Sequence, residues 1–275
     1  MWVGLASATA VTFVVTKLDD TDDGVCNTDC SLREAGSAAN SGDTVSFASD
    51  VRGVSTLALG DLVISRPPAI LGPGANELTV SGGDTQRIFT ITSSGALTAS
   101  RLTFAHGKGQ YYAPLGVEAA GVVLSSGDFA FTDCTFADNH ADGRPNAQVV
   151  NDAGVAYSDG VNKTISFTRC LFKHNSAGGG ACLDIDRAML TIKDSTFTDN
   201  FGEFGPACVI ANSSSFGTGR NRRMWPIRHS RKRGERGPSL LQACSRMQAS
   251  PRSSPRSTTA PRRPPRRSPN GWACP

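Results

Sequence analysis

The sequence predicts an all-β fold, a right-handed parallel β-helix, on three observations. One short pattern is written three times, as Phe131-Thr-Asp-Cys-Thr-Phe-Ala-Asp-Asn139, Phe167-Thr-Arg-Cys-Leu-Phe-Lys-His-Asn175 and Ile192-Lys-Asp-Ser-Thr-Phe-Thr-Asp-Asn200. Small-residue strand starts at Gly121, Gly154 and Gly180 lie 33 and 26 residues apart, and Pro206 opens a further copy 26 residues on. Repeats of about 20 to 30 residues are single stacked turns that bury their apolar face only against their neighbours. Apolar residues recur with period two and helix formers are few, so each turn is built of strands. Parallel strands joined by crossovers wind right-handed.

Equivalent positions of successive turns lie about 4.8 Å apart in such a stack, so columns carry more information than rows. One inward column reads Val80, Phe104, Phe136, Phe172, Phe197, and its neighbour reads Leu78, Leu102, Cys134, Cys170, Ser195. Both are expected in the core. Asn139, Asn175 and Asn200 form a column whose amides stack at a turn, where side chains bond one another and the backbone tolerates the left-handed conformation. Two outward columns alternate in sign: Arg101, Asp133, Arg169, Asp194 and His106, Asp138, His174, Asp199. Opposite charges on neighbouring strands stabilise by about 0.2 to 1 kcal/mol per pair. The expectation is a surface charge ladder that fixes register; the competing reading is a ligand-binding strip.

In chain order, residues 1–10 end like the small-residue tail of a signal peptide but lack its basic start, and a first strand follows at Val11 to Thr16. Asp19, Asp20, Asp22 and Asp23 then form an acidic run. It is not an EF-hand, because the twelfth position counted from Asp19 is Cys30 instead of Glu. An irregular calcium site is the remaining cofactor option, and otherwise none is expected. Cys26 and Cys30 are close enough for a disulfide in an oxidising compartment. Ser31 and Glu34 make a capping box, so a short capping helix should begin there, bury Leu32, Ala35 and Ala39, and end near Asn40 to Gly42. From Thr44 to Phe104 short apolar runs, Leu57 to Leu59 among them, alternate with turn signals such as Gly72-Pro-Gly74. The loops from Ala105 to Leu115 and from Asp142 to Asp152 leave the stack, and loops on rigid scaffolds often carry function.

The segment Asp22-Asp-Gly-Val-Cys-Asn-Thr-Asp-Cys-Ser-Leu-Arg-Glu-Ala35, followed by Gly42-Asp-Thr-Val-Ser-Phe47, resembles the Cys-Ser-Leu-Arg-Glu-Ala (CSLREA) domain that opens many secreted bacterial parallel β-helix proteins. With the turns that follow, the resemblance covers about Val11 to Asn212. It implies a right-handed β-helix on a secreted or cell-surface protein, often of unassigned function. One position departs: Gly36 stands where the family usually has Ile, which loosens the expected packing of the helix. The domain plan is therefore a signal-peptide-like segment (1–10), a β-helix (11–216, with the cap at 19–42 and turns at 43–216) and a tail (217–275).

Charge divides the chain at the same place. Residues 1–216 hold 13 basic and 23 acidic side chains, a net of −10, whereas residues 217–275 hold 15 and 1, a net of +14. The tail is rich in Arg, Pro and Ser without periodicity and cannot build a core. It is expected to be disordered, and a shifted or truncated reading frame accounts for it best. With no aromatic interleaving, nucleic acid is not an expected partner. No stretch reaches the roughly 20 apolar residues of a membrane span, and a monomer is expected. Cys134 with Cys170, and Cys182 with Cys208, fall at equivalent positions of adjacent turns, where disulfides and buried thiols are both open. No catalytic or metal-ligating residues are assigned: the carboxylate pair of a glycosidase and the acidic cluster of a lyase both lack a candidate on the turns. The expected role is adhesin-like or structural, with loops presented to a carbohydrate or protein partner; a polysaccharide lyase or hydrolase is the alternative.

Overall fold

The computed structural model describes residues 9–112, 117–141, 153–178, 182–202, 209–212 and 216–218. Across them the chain winds as a parallel β-solenoid of about six turns with three long faces. Sheet I has eight strands: Thr12–Val15, Thr44–Phe47, Ala69–Leu71, Ala96–Ser100, Asp128–Thr132, Thr164–Thr168, Met189–Lys193 and Phe216–Thr218. Sheet II has six, Gly53–Thr56, Leu78–Ser81, Thr103–Ala105, Thr135–Ala137, Leu171–Lys173 and Thr196–Thr198, and sheet III another six, Leu62–Ile64, Phe89–Ile91, Val123–Ser125, Ala156–Ser158, Leu183–Asp186 and Val209–Asn212. The last strand of sheet I runs two residues past the composition break at 216. The tail beyond it, like residues 1–8 and the 142–152 loop, lies outside the described residues.

Alternation decides what each strand buries. In Asp128–Thr132 and Thr164–Thr168 the second and fourth residues, Phe129 with Phe131 and Ile165 with Phe167, point inward. Sheet II aligns Val80, Phe104, Phe136, Phe172 and Phe197 in one register. All five are buried. The rings of Phe104 and Phe136 stack at 5.6 Å, Phe136 and Phe172 at 4.9 Å, and Phe172 and Phe197 at 4.3 Å. Phe131 and Phe167 meet this pile edge-on from sheet I, at 5.1 Å from Phe136 and 5.2 Å from Phe172. Each fully buried Phe contributes about 1.5 to 3 kcal/mol through area alone, and the edge-to-face pairs add to that. Leu78, Leu102, Cys134, Cys170 and Ser195 are also buried. The run Leu57 to Leu59, expected as a strand, instead follows Gly53–Thr56, where a polar side chain turns inward: Ser55 is buried and donates to the Leu18 carbonyl at 2.7 Å.

The single helix, α1 (Leu32–Ala38), stands at the N-terminal end, where sheet I starts one turn before the other two. It packs on Thr12–Val15, Thr44–Phe47 and Leu62–Ile64, covering a cross-section of the core that would otherwise face water. Ser31 accepts from the Glu34 amide at 3.1 Å, and Glu34 accepts from the Ser31 amide at 2.7 Å. Leu32, Ala35 and Ala39 are buried. A Cβ on Gly36 would meet nothing within 4 Å, and a cleft of about 120 Å³ opens there between α1 and Leu62, Ile64, Ile70 and Phe89.

Candidate functional site

The three corners of the solenoid differ, and the difference locates the site. Between sheets I and II the connection shrinks to two residues in four successive turns, at 101–102, 133–134, 169–170 and 194–195. Between sheets II and III it spans 57–61 and 82–88 in the first two turns, then lengthens to 106–122 and 138–155. The long insertions therefore leave from one edge.

Both charge columns are corner residues in the left-handed conformation. Arg101, Asp133, Arg169 and Asp194 have φ between 51° and 60°, and His106, Asp138, His174 and Asp199 between 51° and 55°. The Asn column lies at this turn as expected: the residue before each Asn takes the left-handed conformation, and the Asn side chains bond one another. Asn139 Nδ2 donates to Asn175 Oδ1 at 2.9 Å, and Asn175 Nδ2 to Asn200 Oδ1 at 2.9 Å. The same amides donate to the carbonyls of Phe104 and Phe136, and Asn200 to that of Phe172, at 3.0 to 3.1 Å. Asn139 and Asn175 are fully buried. Gly107 holds the rung before Asn139: its amide donates to Asn139 Oδ1 at 2.8 Å, and a Cβ there would lie 2.2 Å from the Gly121 carbonyl oxygen.

Of the first charge column, Asp133 and Arg169 form a two-pronged pair at 2.6 and 2.7 Å. The Arg169 hydrogen bonds hold the Asp133 carboxyl below its ordinary range. Arg101 bonds the Pro73 carbonyl of the preceding turn. In the second column the Asp138 carboxylate lies 3.5 Å from His174 Nδ1. Asp84, one turn earlier, lies 3.4 Å from His106 Nδ1 and 3.8 Å from His140 Nδ1. Among the described residues no group of three or more His, Cys, Asp or Glu side chains is arranged to hold a metal ion.

No protein-family model matches the chain, and no curated protein sequence matches it. The site is therefore read from its own chemistry.

At the N-terminal end Cys26 and Cys30 are joined in a disulfide. The acidic run beside it is turned onto protein donors. Asp20 accepts from Arg33 at 2.8 and 2.9 Å and from the amides of Ala58 and Leu59 at 2.7 and 2.9 Å. Burial alone would raise its pKa, but these bonds outweigh it and keep the carboxyl below the usual range. Asp22 and Asp23 accept from the amides two residues on, at Gly24 and Val25. Arg33 also donates to the carbonyls of Gly60 and Asp61. Cys134 and Cys170 are buried free thiols, and Cys182 is fully buried; Cys208 lies outside the described residues. Burial pushes the Cys134 thiol up to about 12 and the Cys170 thiol up to about 11, so both stay protonated and unreactive at neutral pH.

On the loop-bearing edge, the third-turn insertion forms an antiparallel ribbon of Gln110–Tyr112 with Val117–Ala119. Tyr111 is 57% exposed, whereas Ala119 and Ala120 are buried in a small second cluster with Tyr157 against the outside of sheet III. Beneath the ribbon sits Arg87, also buried, with Asp61 and Thr90 as side-chain partners at 3.0 and 3.3 Å. Sequence reasoning assigned nothing to Arg87 or Asp61, and took Asp20 only as part of an acidic run open to calcium, not as the partner of Arg33. Only Arg87 carried a signal, a cation set directly before the apolar run Ile88 to Ile91.

Proposed function

We propose that the protein is a secreted or cell-surface β-helix of the CSLREA-domain kind, with an adhesin-like or structural role, which presents loops from one edge to a carbohydrate or protein partner. The observation that carries this reading is the asymmetry of the corners: tight two-residue corners on one edge, connections of 17 and 18 residues on another. A solenoid whose interior is a continuous pile of rings is stiff, and stiff scaffolds with loops on one side suit recognition. The disulfide in the cap is of the kind that persists in oxidising compartments. No helix among the described residues is long and apolar enough to cross a membrane.

The test is a glycan and surface-protein binding screen with the full chain, paired with an assay on uronate polymers. Binding without turnover, weakened about tenfold or more by Tyr111→Ala, is expected if Tyr111 is a contact anchor. Depolymerisation would replace this reading with an enzymatic one. Binding that is indifferent to Tyr111→Ala and to replacement of the 142–152 loop would move the interface off this edge.

A further inference from the structure

A two-stranded ribbon is marginally stable by itself in water, so the pairing of Gln110–Tyr112 with Val117–Ala119 must be supported at its root. There, Gln110 and Ala119 face each other in register, and one guanidinium bonds both carbonyls: Arg87 Nη2 donates to Gln110 at 3.0 Å and to Ala119 at 2.9 Å. Arg87 Nε donates to Ala120 at 3.1 Å, and Nη1 to Asp61 Oδ2 at 3.0 Å and Thr90 Oγ1 at 3.3 Å. Arginine offers five N–H donors in a rigid fork, and these five acceptors among the described residues match them. The side chain is only 5% exposed, and a cation so placed is tolerated only with its counter-charge and a full set of acceptors. Thr90 Oγ1 in turn donates to Asp61 Oδ2 at 2.6 Å, which fixes the carboxylate. The Asp61 carbonyl accepts from Arg33 at 3.1 Å, so the residue that balances Arg87 is itself held from the cap.

We propose that Arg87 is a positioning residue for the recognition edge: it fixes the angle at which the ribbon leaves the solenoid and therefore where Tyr111 stands. Tilting the ribbon would break both Nη2 bonds together, because one nitrogen serves both strands. The proposal deepens the binding reading given above in that it treats the ribbon as the presented element, but the order of the ribbon is measurable with no ligand at all.

Amide hydrogen exchange on the full chain is the test. Arg87→Met keeps a long apolar stem and removes every donor; it is expected to speed exchange of the ribbon amides in 110–112 and 117–119 by about tenfold or more, while Thr135–Ala137 and Leu171–Lys173 stay protected. Arg87→Lys keeps the charge without the fork and is expected to give a smaller change confined to the same amides. Unchanged ribbon exchange in a folded Arg87→Met protein overturns the proposal, as does an equal loss of protection in all three sheets, which would make Arg87 a general core residue. If the Met variant does not fold, Arg87→Lys decides alone: loss confined to the ribbon supports the clamp, and unchanged protection removes it. A failed ligand screen would end the binding reading and leave this result standing.

Discussion

Three successive turns of this solenoid bend through a residue held in the left-handed conformation, Asp138, His174 and Asp199, and the Asn next to it carries the bonding. Asn175 illustrates the division. His174 before it bends the backbone at φ 55°, while the Asn175 side chain accepts from the Asn139 amide and from Asn139 Nδ2 and donates to Phe136 and Asn200. An Ala at this position removes four bonds and leaves the backbone N–H of the fully buried Asn139 without its acceptor. Leaving a buried polar group unsatisfied costs about 1 to 3 kcal/mol, so Asn175→Ala should lower the unfolding free energy by about 3 kcal/mol or more. Asn200→Ala should cost less, since that rung is only half-buried. Urea denaturation of the two variants checks the order; equal losses would mean that the ladder does not act through burial.

At the scale of elements, α1 and its loop are a polar closure on an apolar rod. Glu34 accepts from the amides of Ser31 and Asp23, and Asp43 from those of Val11 and Asn40. For Glu34 burial pushes the pKa up, but the donated bonds win and the net shift is downward; for Asp43 the amide bonds themselves lower it; Asp20 is depressed as well. A carboxylate whose folded pKa lies below its unfolded value of about 4 contributes stability that is complete above the unfolded pKa and disappears as pH falls through the folded one. The melting temperature should therefore be flat near neutrality and drop below about pH 4, with the cap opening first. Glu34→Gln should lower the neutral-pH melting temperature and flatten the acid drop, and an unchanged slope would assign the acid loss elsewhere. This element was legible because its signals are local: Ser31 and Glu34 are three residues apart, and Cys26 and Cys30 four. What the sequence hid were bonds between a side chain and a distant backbone. Asp20 reaches the amides of Ala58 and Leu59, and Arg87 the carbonyls of Gln110, Ala119 and Ala120. Backbone groups look alike in every sequence, so no pattern marks them. The left-handed corners were hidden for a related reason: Asp is common there, but Arg101 and Arg169 are not residues that advertise the conformation.

The described residues form a stack in which every strand of sheets I to III pairs only with those of the turns next to it. A bond such as that from Lys163 Nζ to the Ser93 carbonyl, two turns away, is a surface exception, so the stability of the stack is close to a sum of turns and of the contacts between them. The Phe column was readable because the repeat places identical residue types at identical phase, and that same regularity sets how the rod should fail. Phe136 lies in the middle of the pile, with ring centroids of Phe104, Phe131, Phe167 and Phe172 between 4.9 and 5.7 Å away. Phe197, on the last described strand of sheet II, stacks on Phe172. Truncating a buried Phe to Ala costs about 3 to 5 kcal/mol. At Phe136 this loss falls on the interfaces that join the turns before Thr103 to those after Thr164, so Phe136→Ala should uncouple the two halves. Urea titration followed by hydrogen exchange should then show Leu78–Ser81 and Thr196–Thr198 losing protection at different concentrations, where the parent chain gives one coincident transition. Phe197→Ala should leave Leu78–Ser81 unaffected. If Phe136→Ala instead shifts every turn together by the same amount, cooperativity extends over the whole rod, and the nearest-neighbour description of its stability is wrong.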